Sequence, residues 1–374
     1  MKRLFIALML CLLLPAGAAA FDLTPYELAQ SDPYDLIGGF TPVSPKEYLQ
    51  ILACVMPDGS SVKTLQHWKE RQLLLNLALE PLPATGYTPI LRADGSIHIL
   101  QRTDRVENGK TWKEDLTLYT LAGQELTNPR SFEDEPYILR YFGSGFAGVR
   151  GSSGEFSELL IYDESEALRF RCTLPFEDAH LQDVFAQDES VYALLTPKGF
   201  DTNTLAMCIS PDNTVSWTYT DDGKIASCNA LHPDGQGGVL LSGSYESDYK
   251  TYRFTHLNAS GECDWIKTLS AKKAIVHPSL TIIEEDGTIT LYGYVVAVSR
   301  DLYTLFSMNM DAQGNVLSLD VRDYSMRKDT GPSIFLAGDG TVLVYSHQFV
   351  SSPPAVLVPF DDLPRADDPG ITLK

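Results

Sequence analysis

One turn recurs along this chain and constrains its fold more than any other feature. Asp94-Gly95, Asp234-Gly235, Asp286-Gly287 and Asp339-Gly340 each sit between two short apolar runs, with Asp188-Glu189 as a variant. Asp-Gly in that setting marks a β-hairpin, because the turn needs positive φ and glycine adopts it at no steric cost. The strands leaving these turns are 96–100, 191–195, 238–242, 288–292 and 341–345. A further hairpin, between 137–142 and 146–149, turns at Gly143-Ser144-Gly145 without Asp-Gly.

A second landmark follows most of the hairpins: a strand that ends in a polar turn, from which another strand departs. The pairs are 116–121 with Ala122-Gly123, 159–162 with Asp163-Glu164, 205–209 with Ser210-Pro211-Asp212-Asn213, 252–257 with Asn258-Ala259-Ser260-Gly261, and 305–310 with Asp311-Ala312-Gln313-Gly314. The steps are multiples of about 45–53 residues, the period of a four-stranded propeller blade. The pattern predicts an all-β β-propeller of six four-stranded blades. The last repeat is incomplete, with strands at 333–336, 341–345 and 355–358 and no fourth. The alternating Leu73, Leu75, Leu77 and Leu79 are expected to supply it, closing the ring from the N-terminal side and removing the open edges. Residues 63–80 also suit a helix by composition. A seventh blade from 48–68, around Asp58-Gly59, is the alternative count.

The segment Asp234-Gly235-Gln236-Gly237-Gly238-Val239-Leu240-Leu241-Ser242-Gly243, followed by Leu257-Asn258-Ala259-Ser260-Gly261-Glu262-Cys263-Asp264-Trp265, resembles the repeat of quinoprotein-like (PQQ-like) propellers. The resemblance implies that the Trp after the third-to-fourth-strand turn packs between neighbouring blades. Ser210-Pro211-Asp212-Asn213-Thr214-Val215-Ser216-Trp217 fills the same slot and is similar to the Asp box of sialidase-type propellers, with Thr214 at the glycine position. Only Trp217 and Trp265 occupy the slot; Thr127 and Ser318 stand there in other repeats. Both motifs are structural turns in their families, so the resemblance implies a fold and carries over no catalytic residue.

The ends of the chain read differently. Met1-Lys2-Arg3, an apolar run over 4–14, Pro15 and the small residues 16–20 form a signal peptide over 1–20, cleaved after Ala20. The mature chain is therefore expected to be secreted, periplasmic or on the cell surface, without a membrane span. Residues 21–46, with four prolines and little periodicity, read as an extended leader; 47–365 as the propeller domain; 366–374 as a short tail. Five cysteines remain after cleavage (Cys54, Cys172, Cys208, Cys228 and Cys263), so at least one is unpaired in the monomer. Their wide spacing carries no metal signature and is expected of small buried strand residues, with room for one disulfide.

A net charge of −20 disfavours nucleic acid and anionic membranes as partners. The sequence contains no nucleophile-elbow, zinc-protease or phosphate-loop pattern. In a propeller, the connections between second and third strands, and from each fourth strand to the next blade, share one face, where ligands meet the channel. Several of these connections are acidic: Glu133 and Asp134, Glu177 and Asp178, Asp221 and Asp222. Phe132-Glu133-Asp134 and Phe176-Glu177-Asp178 repeat one tripeptide. Convergent carboxylates there would hold a cation such as Ca2+ or meet basic groups of a partner; the same residues also suit solvated loops. One long loop should bring Arg102, Arg105 and Trp112 to that face, with Tyr249 nearby, a mixture suited to carbohydrate or peptide. The expected function is a binding or interaction module for an extracellular carbohydrate, peptide or protein. The alternative is a propeller-type hydrolase or oxidoreductase with a carboxylate site at the channel mouth.

Overall fold

The computed structural model describes residues 26–27, 35–44, 46–55, 61–70, 72–79, 85–92, 94–107, 110–123, 125–134, 136–151, 156–187, 189–197, 204–220, 225–245, 251–272, 274–284, 286–297, 303–324, 332–337, 340–346 and 356–374. These residues are almost all β-strand. One short 3-10 turn, Phe360–Asp362, is the only helical element among them. Among the described residues no helix is long and apolar enough to cross a membrane. The expected signal peptide, 1–20, lies outside the described residues.

The chain divides into two compact units. The first unit comprises residues 1–81 and 329–363. It opens with β1 (Tyr26–Glu27), β2 (Asp35–Ser44), β3 (Glu47–Val55), β4 (Ser61–Lys69) and β5 (Gln72–Leu79). Strands β2 to β5 form one antiparallel meander. The helix that composition allowed over 63–80 is absent. Strand alternation prevails over 75–79, where Leu75 and Leu79 are buried, Leu77 is half-buried, and Asn76 and Ala78 face solvent; Leu73, beyond a register shift, is exposed.

The second unit comprises residues 82–328 and 364–374. It holds β6 (Thr85–Leu91), β7 (Ile97–Glu107), β8 (Lys110–Ala122) and β9 (Glu125–Ser131) as one sheet, then β10 (Ile138–Tyr141), β11 (Gly145–Arg150), β12 (Phe156–Asp163) and β13 (Leu168–Glu177) as the next. A third contains β14 (His180–Gln187), β15 (Ser190–Thr196), β16 (Leu205–Ile209) and β17 (Val215–Thr220). Two further meanders follow: β18 (Ile225–Pro233), β19 (Val239–Tyr245), β20 (Thr251–Leu257) and β21 (Cys263–Ala271), then β22 (Ala274–Ile283), β23 (Ile289–Ala297), β24 (Tyr303–Met310) and β25 (Val316–Asp323). They are joined through a single residue pair, Ala271 with Ala274. The chain returns to the first unit for β26 (Pro332–Leu336), β27 (Val342–Ser346) and β28 (Val356–Pro359), and to the second for β29 (Ile371–Leu373) on the outer edge of β21.

The expected six blades are therefore not what is observed. Five separate four-stranded sheets stand among the described residues, and β18–β25 with β29 make one nine-stranded sheet. Closure also differs from expectation. The incomplete repeat β26–β28 takes its fourth strand from β1, with Tyr26 opposite Leu357 and Glu27 opposite Val356. Leu73 to Leu79 instead form the outer strand of their own sheet. Residues 21–46 are consequently not a leader outside the repeats, since they contain β1 and β2. The short tail expected at 366–374 carries β29.

Burial explains the strand sequences. The second and third strands of a sheet are covered on both faces, so β15 and β16 are apolar almost throughout. The outermost strand has one covered face: in β17 only Trp217 is fully buried. In the second unit the cores lie between successive sheets: Val149, Leu159 and Ile161 meet Leu181, Val191 and Leu195, while Leu194 and Ala206 meet Leu231 and Leu241. In the first unit Tyr48 packs with Leu343, Tyr345 and Leu357.

The turns match their sequence. Gly95, Gly235, Gly287 and Gly340 all have φ near +80°. Asp94 accepts the Ser96 N–H at 2.8 Å and Asp286 that of Thr288 at 2.9 Å. The two Trp residues cross between meanders as the motifs imply. A side chain on Gly261 would meet the Trp217 ring at 2.8 Å, and Trp265 donates to the Ala312 carbonyl at 3.0 Å.

Candidate functional site

Strand direction alternates within each meander, so the second-to-third-strand connections emerge at the same end as those leading to the next sheet. In the second unit this end carries the two copies of Phe-Glu-Asp. Phe132 is the buried anchor of the first, edge-on to Phe146 at 5.1 Å and to Tyr162 at 5.2 Å. The Tyr162 hydroxyl donates to the Glu133 carbonyl at 2.6 Å. Burial, reinforced by the Glu133 charge, holds that phenol well above its ordinary pKa, so it stays a donor. Asp134 follows with φ +65°, a conformation that Asp tolerates better than most residues. Its carboxylate bridges Arg150, at 2.5 Å, and Arg171. Arg150 in turn reaches Glu158 at 3.0 Å.

The second copy repeats the geometry with other partners. Phe176 packs against the core and Asp178 has φ +48°. Ala179, fully buried, donates its N–H to Ser157 Oγ at 2.8 Å, and its carbonyl accepts the Tyr137 hydroxyl at 2.7 Å. Glu133, Glu177 and Asp178 are exposed. Both connections are thus anchored by an aromatic and a partly buried tyrosine hydrogen bond, while Glu133, Glu177 and Asp178 remain in water.

The other expected site residues are placed as follows. Arg102 lies on β7 opposite Gly86 of β6, partly buried, and its Nε is shielded from solvent with no hydrogen-bond partner among the described residues. Arg105 sits on β7 and Trp112 on β8, but their side chains lie outside the described residues. The long loop expected there is instead a continued hairpin, paired as far as Glu107 with Lys110. Asp221, Asp222 and Tyr249 lie outside the described residues. Among the described residues no three His, Cys, Asp or Glu side chains gather as a metal-holding group. The free thiols Cys172 and Cys208 are covered, and burial pushes Cys172 up to about 11; Cys263 is exposed.

Three polar arrangements escaped the sequence reading. Asp183 lies on β14, the first strand of its sheet, at a register shift. Its carboxylate accepts the N–H groups of Val184 and of Leu231 on β18, each at 2.9 Å. Burial nevertheless raises its pKa, against the pull of those bonds and of Arg140. Arg140 makes the equivalent link one sheet earlier, donating from Nε to the Leu181 carbonyl at 3.0 Å.

At the opposite end, Glu166 accepts from Arg92 at 2.8 Å and from Arg130 at 2.5 Å. Arg130 also donates to His98 Nδ1 at 3.0 Å, and His98 Nε2 faces Ser96 Oγ at 3.1 Å. Burial, then the charges of Arg92 and Arg130, lower His98 to about 4, so the ring is neutral and accepts at Nδ1. The third arrangement is His256, which stacks on Trp265 at 5.4 Å between Asp234 and Asp264, each at 3.2 Å. An isolated charge inside a strand, such as Asp183 two residues after Leu181, was the one signal available for any of these.

No family model and no curated protein matches this chain. Among solved structures it is similar to the β-propeller domain of the Trilobed protease from Pyrococcus furiosus, with 12% identity and a TM-score of 0.53 over 87% of this chain and 92% of that one. That domain is described as having an open velcro topology. The chain is also similar to a eukaryotic initiation factor, with 13% identity and a TM-score of 0.49 over 93% of this chain and 92% of that one. The first likeness shows the fold: an all-β protein of β-propeller type.

Proposed function

We propose that the protein is an exported β-propeller that binds a partner carrying basic groups, a peptide or protein outside the cytoplasm. One observation carries this reading: Glu133, Glu177 and Asp178 are exposed carboxylates on successive connections whose backbones are fixed from below by Tyr162 and Tyr137. A rigid mount spares the ordering cost that a flexible acidic loop incurs on binding. The buried carboxylates favour binding over hydrolysis, because Asp183 and Glu166 already accept from backbone amides and arginines respectively. The nine-stranded sheet is best read as two blades sharing one hydrogen-bonded pair, which supports the larger of the two blade counts considered from sequence.

Peptides selected from a random display library on the purified protein should be rich in Lys and Arg, and their binding should weaken with added salt. The triple variant Glu133→Gln, Glu177→Gln, Asp178→Asn should bind the selected peptides at least about tenfold more weakly, roughly 1.4 kcal/mol. Selection of neutral peptides that bind the variant equally well would overturn the reading. Export is tested separately. The secreted product should begin at Phe21, and an intact chain held in the membrane fraction would contradict it.

A further inference from the structure

Residues 364–374 run along the outer rim of the nine-stranded sheet. The Asp323 N–H donates to the Pro364 carbonyl at 2.7 Å, and Ala366 donates to Val321 at 2.9 Å, so the segment first pairs with the edge of β25. It then turns at Asp368, whose carboxylate accepts the N–H groups of Gly370 and Ile371, and enters β29. There Ile371 pairs with Ala271, Thr372 with Ser270 and Leu373 with Leu269. Lys374 exchanges two further backbone hydrogen bonds with Thr268, at 2.9 and 3.0 Å. One segment therefore covers the edges of both outer strands.

We propose that this strap is exchangeable, so that the edge of β21 in one copy takes β29 from a second copy and the chain forms a reciprocally strapped dimer. Three features support exchange. The strap follows directly on Leu363, the last residue of the first unit, yet it pairs within the second. It contributes only two aliphatic side chains to the core, Ile371 and Leu373, so it can open while the sheet beneath stays folded. Its hinge is short: residues 364–370 separate Leu363 from β29, and the chain turns at Gly370, whose φ of +84° glycine adopts without strain. Short hinges favour exchange of an element between identical chains.

The occupant is argued from the same rim. An edge released by β29 offers unpaired backbone groups whose fitting strand is already known, because it is this chain's own. The two strapped strands also expose the apolar side chains of Ile266 (47%), Val316 (45%) and Leu317 (62%).

Ser270 and Thr372 provide the test, since their side-chain oxygens are 3.2 Å apart. All chains would carry Cys263→Ser to remove the exposed thiol. A chain with both Ser270→Cys and Thr372→Cys should close an internal disulfide when dilute. A Ser270→Cys chain mixed with a Thr372→Cys chain at high concentration should give a covalent heterodimer, which neither variant gives alone. Internal closure of the double variant without any heterodimer in the mixture would show a fixed strap and overturn the proposal. If the double variant fails to close, light scattering on the intact protein decides: a concentration-dependent dimer lost in Ile371→Asp upholds exchange, and a monomer throughout refutes it.

Discussion

The urea midpoint of this protein should fall steeply between about pH 6.5 and about pH 4, beginning well above the range in which carboxylates titrate. His98 and His232 are each lowered to about 4, His98 by burial and then by Arg92 and Arg130, His232 by burial alone. A depressed folded-state pKa means that the unfolded chain binds protons first. The stabilisation is therefore complete above the unfolded pKa of 6.5 and is lost as pH falls through the folded value. A shift of that direction in both rings corresponds to a contribution on the order of a few kcal/mol. His277, also lowered by burial, acts in the same direction. Asp183 opposes it: its raised pKa favours the folded chain on acidification, but only one carboxylate is involved. Below this window Asp163 and Asp234 add to the loss, because hydrogen bonds outweigh burial and hold both beneath their ordinary value. Urea titrations at several pH values check this, with His98→Gln expected to remove a large part of the slope. A midpoint that stays level down to pH 4 would contradict the assignment of neutral buried rings.

The parts legible in the sequence were those with local causes. An Asp-Gly turn is made by the residues that spell it, and every described glycine of the series has the positive φ it implies. The Phe-Glu-Asp tripeptides were legible as a repeat, but the inward aromatic, the outward Glu and the left-handed Asp came only with the structure. The pairing of distant strands was not. Alternation in Leu73 to Leu79 correctly marks a strand, but it fixes which face is buried and says nothing about which neighbour is paired. The closing strand β1 has two residues, and β29 has three; neither is long enough to carry a period. The site failed similarly where partners come from another sheet. Asp134 reads as a free loop carboxylate until Arg150 and Arg171 are brought across to it. Arg92 and Glu166 lie 74 residues apart, and only the stacking of successive sheets joins them.

Among the described residues of the second unit, that junction should be the most sensitive single ionic position. Glu166 retains only 5% side-chain exposure, and it answers two arginines, one of them 10% exposed. Arg92 is further committed: it donates to the Glu164 carbonyl at 2.8 Å and lies 5.6 Å above the Phe146 ring, so it cannot swing into water without losing both contacts. Glu166→Gln keeps the size of the side chain, one carbonyl acceptor and the strain of a left-handed backbone at φ +65°. What it removes is the charge. Removing one partner of a buried pair leaves the other charge without compensation, at a cost of about 3–5 kcal/mol. Arg130→Gln should cost less, because Arg130 is 33% exposed and water can take over part of its role. In the double variant, the cost of losing Glu166 should shrink but not vanish, since Arg92 still lacks its counterion. Urea midpoints for the two single variants and the double variant measure these terms directly. If Glu166→Gln unfolds at the parental midpoint, the cluster behaves as a surface ion pair, and the two sheets it spans are held together by their apolar contacts alone.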